Sequence, residues 1–208
     1  MSYLALRTNI FDCAVCPTRC DGKSVGQYDF ERDVAFSEGI ENEIIRAIND
    51  HYPHLIATQS TRNGYPDIEL CRRVATEHRI AFAEVKVQSR TFMAIERYLP
   101  NSGLYPSETL ALNLSDLERY FAIKQTEQKP IYLVWCLMSR PCVLTGKKRQ
   151  FYYQEIDVLQ RIYQKEKNKR RFRRDTGIGD VVDGVHKGVT VNYHFSLNEL
   201  IEGLKFLS

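Results

Sequence analysis

The sequence predicts an α/β, or mixed α+β, domain, and two observations lead to that prediction. Sequence patterns occur in the order helix, three strands, helix, strand, which is typical of a mixed sheet covered by helices. The chain has 208 residues, of which 43% are hydrophobic, so it can bury a core and is too apolar for wholesale disorder. We therefore expect one domain of ordinary size, or a core with an appendage.

The first half of that pattern contains a helix and three strands. Ser37 is a good N-cap for a helix that runs to about His51. Its apolar residues recur at helical spacing: Ile40, Ile44, Ile45, Ile48 and Tyr52. Residues 54–60 have the composition of a strand, and an Asn-Gly turn follows. Residues 66–73 and 79–88 are predicted as two further strands that lie side by side.

The second half follows a loop that contains two prolines and a glycine. Ser115 and Glu118 form a capping-box pattern, which predicts a helix to about Gln128. Residues 131–138 are continuously apolar, as expected for a strand buried on both faces.

Composition divides the chain into three parts. Residues 1–35 form an N-terminal arm that contains cysteines, and residues 36–140 form the core. Residues 141–208 form a C-terminal extension, which we expect to pack on the core. Its predicted elements are a strand at 151–153, a helix at 156–167, a strand at 189–195 and a terminal helix opened by the Ser196–Glu199 capping box.

Charge and hydropathy limit the cellular context. The formal net charge is only +3, from 29 basic and 26 acidic residues, so the distribution of charge matters more than its sum. The longest apolar run is too short to span a bilayer, and the N-terminus lacks the pattern of a signal peptide. We expect a cytoplasmic protein, nucleoid-associated if it is bacterial, whose six cysteines are thiols or metal ligands rather than disulfides.

Polar residues interrupt two of the predicted strands where core residues are expected. Side chains alternate along a strand, so Glu84, Lys86 and Gln88 share one face while the other face is apolar. Asp67 and Glu69 share a face of the preceding strand. If the two strands pair, Asp67 can approach Glu84.

Two carboxylates beside a lysine form a minimal set for phosphodiester hydrolysis. Hard cations such as Mg²⁺ prefer oxygen ligands and often bind through only one or two carboxylates. A neighbouring lysine can orient the attacking water or stabilise the transition state. Each pattern alone is more often a turn or a solvated strand face, but their order and spacing together favour a metal-dependent nuclease.

The same residues resemble the signature of a known superfamily. Pro66-Asp67 followed by Glu84-Val85-Lys86 resembles the motif of the PD-(D/E)XK nucleases, which include many restriction endonucleases and archaeal Holliday-junction resolvases. The resemblance covers residues 36–138 and implies a restriction-endonuclease-like αβββαβ core. It implies that Asp67 and Glu84 bind Mg²⁺ or Mn²⁺ and that Lys86 is the catalytic lysine. It also favours DNA over RNA and a homodimer. We expect an endonuclease rather than an exonuclease, because nothing in the sequence suggests a helicase or a processive ring.

Many members of that superfamily add an acid from the first helix. At about 100° per residue, Glu41 falls inside the apolar stripe, Glu38 lies just beyond its edge and Glu43 points away from it. We choose Glu41 as a third metal ligand, with Glu38 in reserve; the alternative is a helix-start acid that interacts with the helix dipole. Gln88 could contact substrate or a metal-bound water. Glu69 is an alternative ligand or a solvated neighbour.

A cysteine cluster in the arm is a separate candidate metal site. Cys13, Cys16 and Cys20 have a C-x2-C-x3-C spacing that suits Zn²⁺ or an iron–sulfur cluster. Candidates for a fourth ligand are Cys71, Cys142, His51 and His54. The alternative is three unligated thiols. Cys136 and Trp135 are expected in the core.

A basic run in the extension is a candidate nucleic-acid contact. Its members are Lys167, Lys169, Arg170, Arg171, Arg173 and Arg174. They can neutralise phosphates, and the nearby Phe172 and Tyr163 could stack on bases. The alternative is a solvated helix end.

Together these features predict a Mg²⁺-dependent nuclease that hydrolyses DNA, with three alternatives kept open. The first is a catalytically inactive nuclease fold that binds nucleic acid. The second is a zinc-module interaction or regulatory protein, in which the arm is the active feature. The third is a nuclease directed at RNA.

Overall fold

The computed structural model describes residues 30–88, 91–138, 140–144, 146–173, 181–182, 185–186 and 191–205. Its α-helices are α1 (Phe30–His51), α2 (Ile95–Tyr98), α3 (Leu114–Glu127), α4 (Pro141–Leu144) and α5 (Ile156–Glu166), with 3₁₀ turns at Lys167–Arg170 and Leu197–Glu199. Its strands are β1 (Leu55–Gln59), β2 (Ile68–Arg72), β3 (Ala75–Gln88), β4 (Thr109–Asn113), β5 (Ile131–Met138), β6 (Arg149–Glu155), β7 (Arg171–Arg173), β8 (Val181–Val182), β9 (Val185–His186), β10 (Val191–Ser196) and β11 (Ile201–Glu202).

A six-stranded mixed sheet organises the fold. Its strand order is β1-β2-β3-β5-β6-β11; β3 and β5 run parallel, and the other neighbouring strands run antiparallel. The order α1-β1-β2-β3-α3-β5 confirms the predicted mixed α+β class and its αβββαβ core. The extension contributes β6 and β11 to this same sheet.

Two hydrophobic layers cover the faces of the sheet. On one face, Ile40, Ile44 and Ile48 of α1 pack against β2, β3 and β5. On the other face, α3, α5 and β10 pack against the alternate side chains of β3 and β5, among them Phe82 and Trp135. Strand β5 is buried on both faces, which explains its continuous apolar run.

A three-stranded antiparallel sheet, in the order β4-β10-β7, lies beside the second layer. Strand β4 and helix α2 occupy the segment that the sequence indicated only as a loop. No helix in the described ranges is long and apolar enough to cross a membrane.

Three predicted helix boundaries are wrong. Helix α1 begins at Phe30, because the helical spacing of apolar residues extends upstream of Ser37. Helix α3 begins at Leu114, because β4 leads straight into it through the N-cap Asn113. The Ser196 capping box does form, but it opens only a 3₁₀ turn, because Ile201 and Glu202 then pair with β6.

Candidate active site

Strand β3 places a buried ion pair on its α3 side. Glu84 is only 2% exposed, and its Oε1 forms a salt bridge with the Lys86 ammonium. Its Oε2 is buried and, among the described residues, accepts no hydrogen bond. A buried carboxylate oxygen normally has a partner, since an unpaired one has a large desolvation penalty. Glu84 therefore has one oxygen available for a further cation.

Asp67 lies directly before β2 and next to Glu84. The antiparallel register pairs Ile68 with Ala83, which brings the preceding residue of β2 opposite Glu84. The Val85 backbone N–H donates to Asp67 Oδ2 at 2.8 Å and fixes the carboxylate. The structure thus brings together the two carboxylates that the sequence motif predicted to meet.

Glu41 approaches the same cluster from α1. Burial raises the pKa of its half-buried carboxyl group, and the negative charge of Glu84 raises it further. Glu43 points elsewhere, since Arg149 donates to both of its oxygens at 2.6 and 2.7 Å. Glu38 is exposed and lies near enough to Glu41 to raise its pKa as well. The geometry is compatible with Glu41 as a third acid, and that role stays a prediction.

The neighbours of Asp67 and Lys86 in the cluster shift the pKa values of both groups. Burial, with the charge of Glu84, raises the pKa of Asp67 to about 7, although the Val85 N–H and Lys86 oppose that shift. Burial lowers the pKa of Lys86, but the attraction of Glu84 and Asp67 outweighs it and leaves the pKa raised. The ion pair with Glu84 thus stabilises the protonated form of Lys86.

These residues fit a hard divalent cation. The donors are carboxylate oxygens, one of them without a hydrogen-bond partner in the described part of the chain, and a bound cation would relieve the excess negative charge around Asp67. No group of three His, Cys, Asp or Glu side chains in the described part of the chain is already arranged as a metal site. Mg²⁺ does not require one, because it commonly binds through one or two carboxylates and keeps several waters.

Helix α3 supplies three neighbours that the sequence motif did not identify. The buried Tyr120 hydroxyl lies beside Glu84, and burial together with that charge raises its pKa. Arg119 donates to Tyr120 at 3.5 Å and to Asp116 at 2.8 Å, and Asp116 in turn attracts Lys86. In the sequence Tyr120 follows the ordinary core spacing of α3, so nothing marks it as a site residue. The three neighbours are recognised only when the fold brings α3 next to β3.

Glu69 is used within the fold. It accepts from Arg62 Nε at 2.9 Å, from the Ser60 hydroxyl at 3.1 Å and from Arg79. Arg62 also donates to Glu127 at 2.8 Å. This network anchors the segment that leads to Asp67, and it occupies both oxygens of Glu69; the alternative role of Glu69 as a metal ligand stays a prediction.

Gln88 also differs from its predicted role. Its Nε2 donates to the Thr109 carbonyl at 3.0 Å, and the Ala111 N–H donates to its Oε1 at 3.0 Å. The amide therefore holds β4 to the end of β3 and is not presented to substrate or to a metal-bound water.

We expect Gln88→Leu to lower stability without a matching loss of chemistry. The substitution leaves the Ala111 N–H and the Thr109 carbonyl without the Gln88 amide, which should destabilise the fold by about 1–2 kcal/mol. Thermal melts should show this loss, while the cleavage rate at a temperature where the variant is folded should stay within a few-fold of wild type. If Gln88→Leu is as stable as wild type but cleaves 100-fold more slowly, Gln88 has the catalytic role that the sequence predicted.

The basic run separates into structural and exposed cations. Arg170 is 7% exposed and donates to both oxygens of Glu199 at 2.7 Å, so it is a core ion pair and not the predicted phosphate contact. Exposed cations remain at Lys167, Lys169, Arg171 and Arg173.

The two aromatic residues near this run are not free to stack on bases. Phe172 packs on Tyr98, and Tyr163 packs on Phe121 and Tyr193. Arg174 lies outside the described residues.

The cysteine predictions have a divided outcome. Cys13, Cys16 and Cys20 lie outside the described residues, so their metal site stays a prediction. Cys71 is buried in β2. Cys136 and Trp135 are both fully buried, which confirms that they are core residues.

Comparison with known proteins gives a distant structural similarity. The structure resembles that of Hjc, a Holliday-junction resolvase from the archaeal hyperthermophile Archaeoglobus fulgidus. The two share 10% sequence identity at a TM-score of 0.40, over 82% of this chain and 91% of the resolvase chain. No protein-family model and no curated protein matches the sequence.

Proposed function

We propose that this protein is a Mg²⁺-dependent nuclease that hydrolyses phosphodiester bonds of DNA, as an endonuclease. The observation that supports this most directly is the buried Glu84 carboxylate, which lies opposite Asp67 and has one oxygen paired with Lys86, while the other has no hydrogen-bond partner among the described residues. A solvated strand face, the ordinary interpretation of a Glu-x-Lys pattern, would be exposed.

In this proposal each residue of the cluster has a distinct task. Asp67 and Glu84 would hold Mg²⁺ or Mn²⁺ through carboxylate oxygens, with Glu41 as an additional acid. The cation, when bound, neutralises charge on the scissile phosphate and lowers the pKa of a bound water. Lys86, protonated throughout, donates hydrogen bonds that orient the attacking water or stabilise the phosphate oxygens in the transition state. Tyr120 holds Glu84 from the α3 side.

The exposed cations complete the proposal. Lys167, Lys169, Arg171 and Arg173 would bind the phosphate backbone without sequence preference. A homodimer would supply two sites for cutting both strands. We place the protein in the cytoplasm, where it would meet nucleic acid directly.

Single substitutions in the basic run should separate binding from folding. We expect Lys169→Ala and Arg171→Ala to weaken duplex binding and to reduce the slope of log affinity against log salt by about 0.9 for each lost phosphate contact. Arg170→Ala should instead destabilise the fold by about 3 kcal/mol, because Glu199 loses its buried partner. Anisotropy titrations at several salt concentrations and thermal melts measure the two effects. Equal salt slopes for wild type and Arg171→Ala would remove that residue from the interface.

The function itself is tested with a panel of nucleic acids. Purified protein is incubated with plasmid, linear, single-stranded and branched DNA and with RNA, in Mg²⁺ or EDTA, beside Asp67→Ala and Lys86→Ala. Glu77→Ala, at an exposed carboxylate, is the matched control. Cleavage that needs Mg²⁺ and disappears in both site variants supports the proposal. DNA binding without cleavage of any substrate would favour the inactive nuclease fold, and cleavage of RNA alone would change the substrate class.

A further inference from the structure

Tyr98 is an exposed aromatic ring on an otherwise buried small cluster. Helix α2 and the segment after it bury Ile95, Leu99 and Leu104, with Phe172 of β7 packed beside them. Tyr98 is 55% exposed, although its ring lies only 4.9 Å from that of Phe172. The contact fixes the ring in place and leaves over half of its surface in water.

Cations lie near this ring on α2 and on β7. The Arg97 guanidinium lies 5.9 Å from its centroid. Arg171 and Arg173 flank Phe172 in β7, and both are exposed. Because side chains alternate along a strand, these two arginines project from the opposite face to Phe172, about 6.6 Å apart along the strand. Among the described residues strand β7 is an edge of its sheet, so one side of its backbone has no neighbouring strand there.

We propose that Tyr98 and strand β7 form a binding site for an unpaired nucleic-acid strand. In such a strand the bases and the phosphates project to different sides of the chain. Strand β7 offers the matching arrangement, with cations for phosphates on one flank and a fixed ring for a base on the other. Base stacking on an exposed aromatic ring, combined with backbone neutralisation, is how proteins bind single strands without sequence readout.

Stacking on Tyr98 requires an unpaired base, which distinguishes this site from a general basic patch. Bases within a duplex already stack on one another, so a duplex would use only the cations.

The site is also connected to the carboxylate cluster. Gln88, two residues beyond Lys86, bonds to β4, and β7 is the second strand from β4, on the order of 10 Å away.

The inference rests on the proposed function only for its link to cleavage: a substrate with a single-stranded segment close to the cut would engage both sites. Binding to the platform of Tyr98 and β7 is a separate property, and it can be measured in a protein that does not cut.

The test uses the full chain with Asp67→Ala, in EDTA, and fluorescently labelled single-stranded DNA, single-stranded RNA and duplex DNA. We expect Tyr98→Ala to weaken binding of single strands about tenfold or more and binding of duplex by less than twofold. Tyr98→Phe keeps the stacking surface and should bind like the parent. Tyr105→Ala removes another exposed tyrosine, 45% exposed, and should have no effect. The DNA and RNA arms show which strand the site takes.

Each outcome decides the inference. An equal loss on single strands and duplex, or no loss on either, would overturn it, provided that circular-dichroism melts show Tyr98→Ala folded; if they do not, Tyr98→Leu takes its place. Selective loss on single strands, together with no nuclease activity in the wild-type protein, would retain the platform and reject the nuclease. If Tyr98→Ala changes neither binding nor cleavage of any substrate, the platform is rejected and the nuclease is retained.

Discussion

Asp67→Asn should abolish cleavage and, in the metal-free protein, raise the melting temperature. The folded-state pKa of about 7 lies above the ordinary value of 3.8, so the folded protein keeps a proton that the unfolded chain releases. Stability is therefore lost as pH rises from about 4 to 7, and it stays lost above that range. Asparagine does not titrate and can still accept the Val85 N–H. The gain should be near zero at pH 4 and about 5 °C at pH 8.

The measurement is a set of thermal melts in EDTA from pH 4 to 8, with Asp50→Asn on the exposed face of α1 as control. Adding Mg²⁺ should raise the melting temperature of wild type and leave Asp67→Asn unchanged, since the variant lacks a ligand. The wild-type affinity for Mg²⁺ should increase as pH rises through 7, because the metal competes with the proton. Cleavage should fall at least about 10³-fold. An Asp67→Asn protein that melts below wild type at pH 8 would contradict the electrostatic account.

Lys86→Met should also slow cleavage strongly, with the opposite effect on stability. Removing the ammonium leaves Glu84 buried without its ion-pair partner. A broken buried pair is strongly destabilising, and since the Lys86 side chain is 32% exposed we expect a reduced loss of about 2 kcal/mol. Loss of the group that orients water should slow cleavage by about 10²-fold or more.

Two further variants identify the cause. Glu84→Gln combined with Lys86→Met removes both charges and should recover most of the stability, because no unpaired charge remains. Lys148→Met, at an exposed position, should change neither property. Mg²⁺ should stabilise Lys86→Met more than wild type, since the cation then neutralises Glu84 alone. If Lys86→Met is as stable as wild type and cuts at the same rate, the pair is a surface feature without function.

The sequence could predict those parts of the site that depend on the alternation of side chains along a strand. Glu84 and Lys86 share a face because they are two residues apart in β3, and Ala83 and Val85 identified the opposite face as apolar core. The bounds of β5 were predicted for the same local reason, since a run buried on both faces has no polar interruptions.

The errors arose where a distant partner decides the outcome. Gln88 has the side chain of an active-site amide, but it bonds to β4. Arg170 has the side chain of a phosphate contact, but it bonds to Glu199. Tyr120 reaches Glu84 from a helix in a remote part of the sequence. Single-sequence patterns contain no information about such pairings, so they could not separate a substrate contact from a structural one.

The parallel pairing of β3 with β5 determines when the sheet around the site is completed during synthesis. Glu84 lies opposite Leu133, and Lys86 lies opposite Trp135, so β3 stays an open sheet edge until the ribosome has released β5. Parallel pairing across a long crossover is a slow, non-local folding step. The nascent chain can therefore pair β2 with β3, and so place Asp67 opposite Glu84, long before β5 completes the sheet around them. A truncated product that ends before β5 would present these residues on a strand with an open edge prone to aggregation.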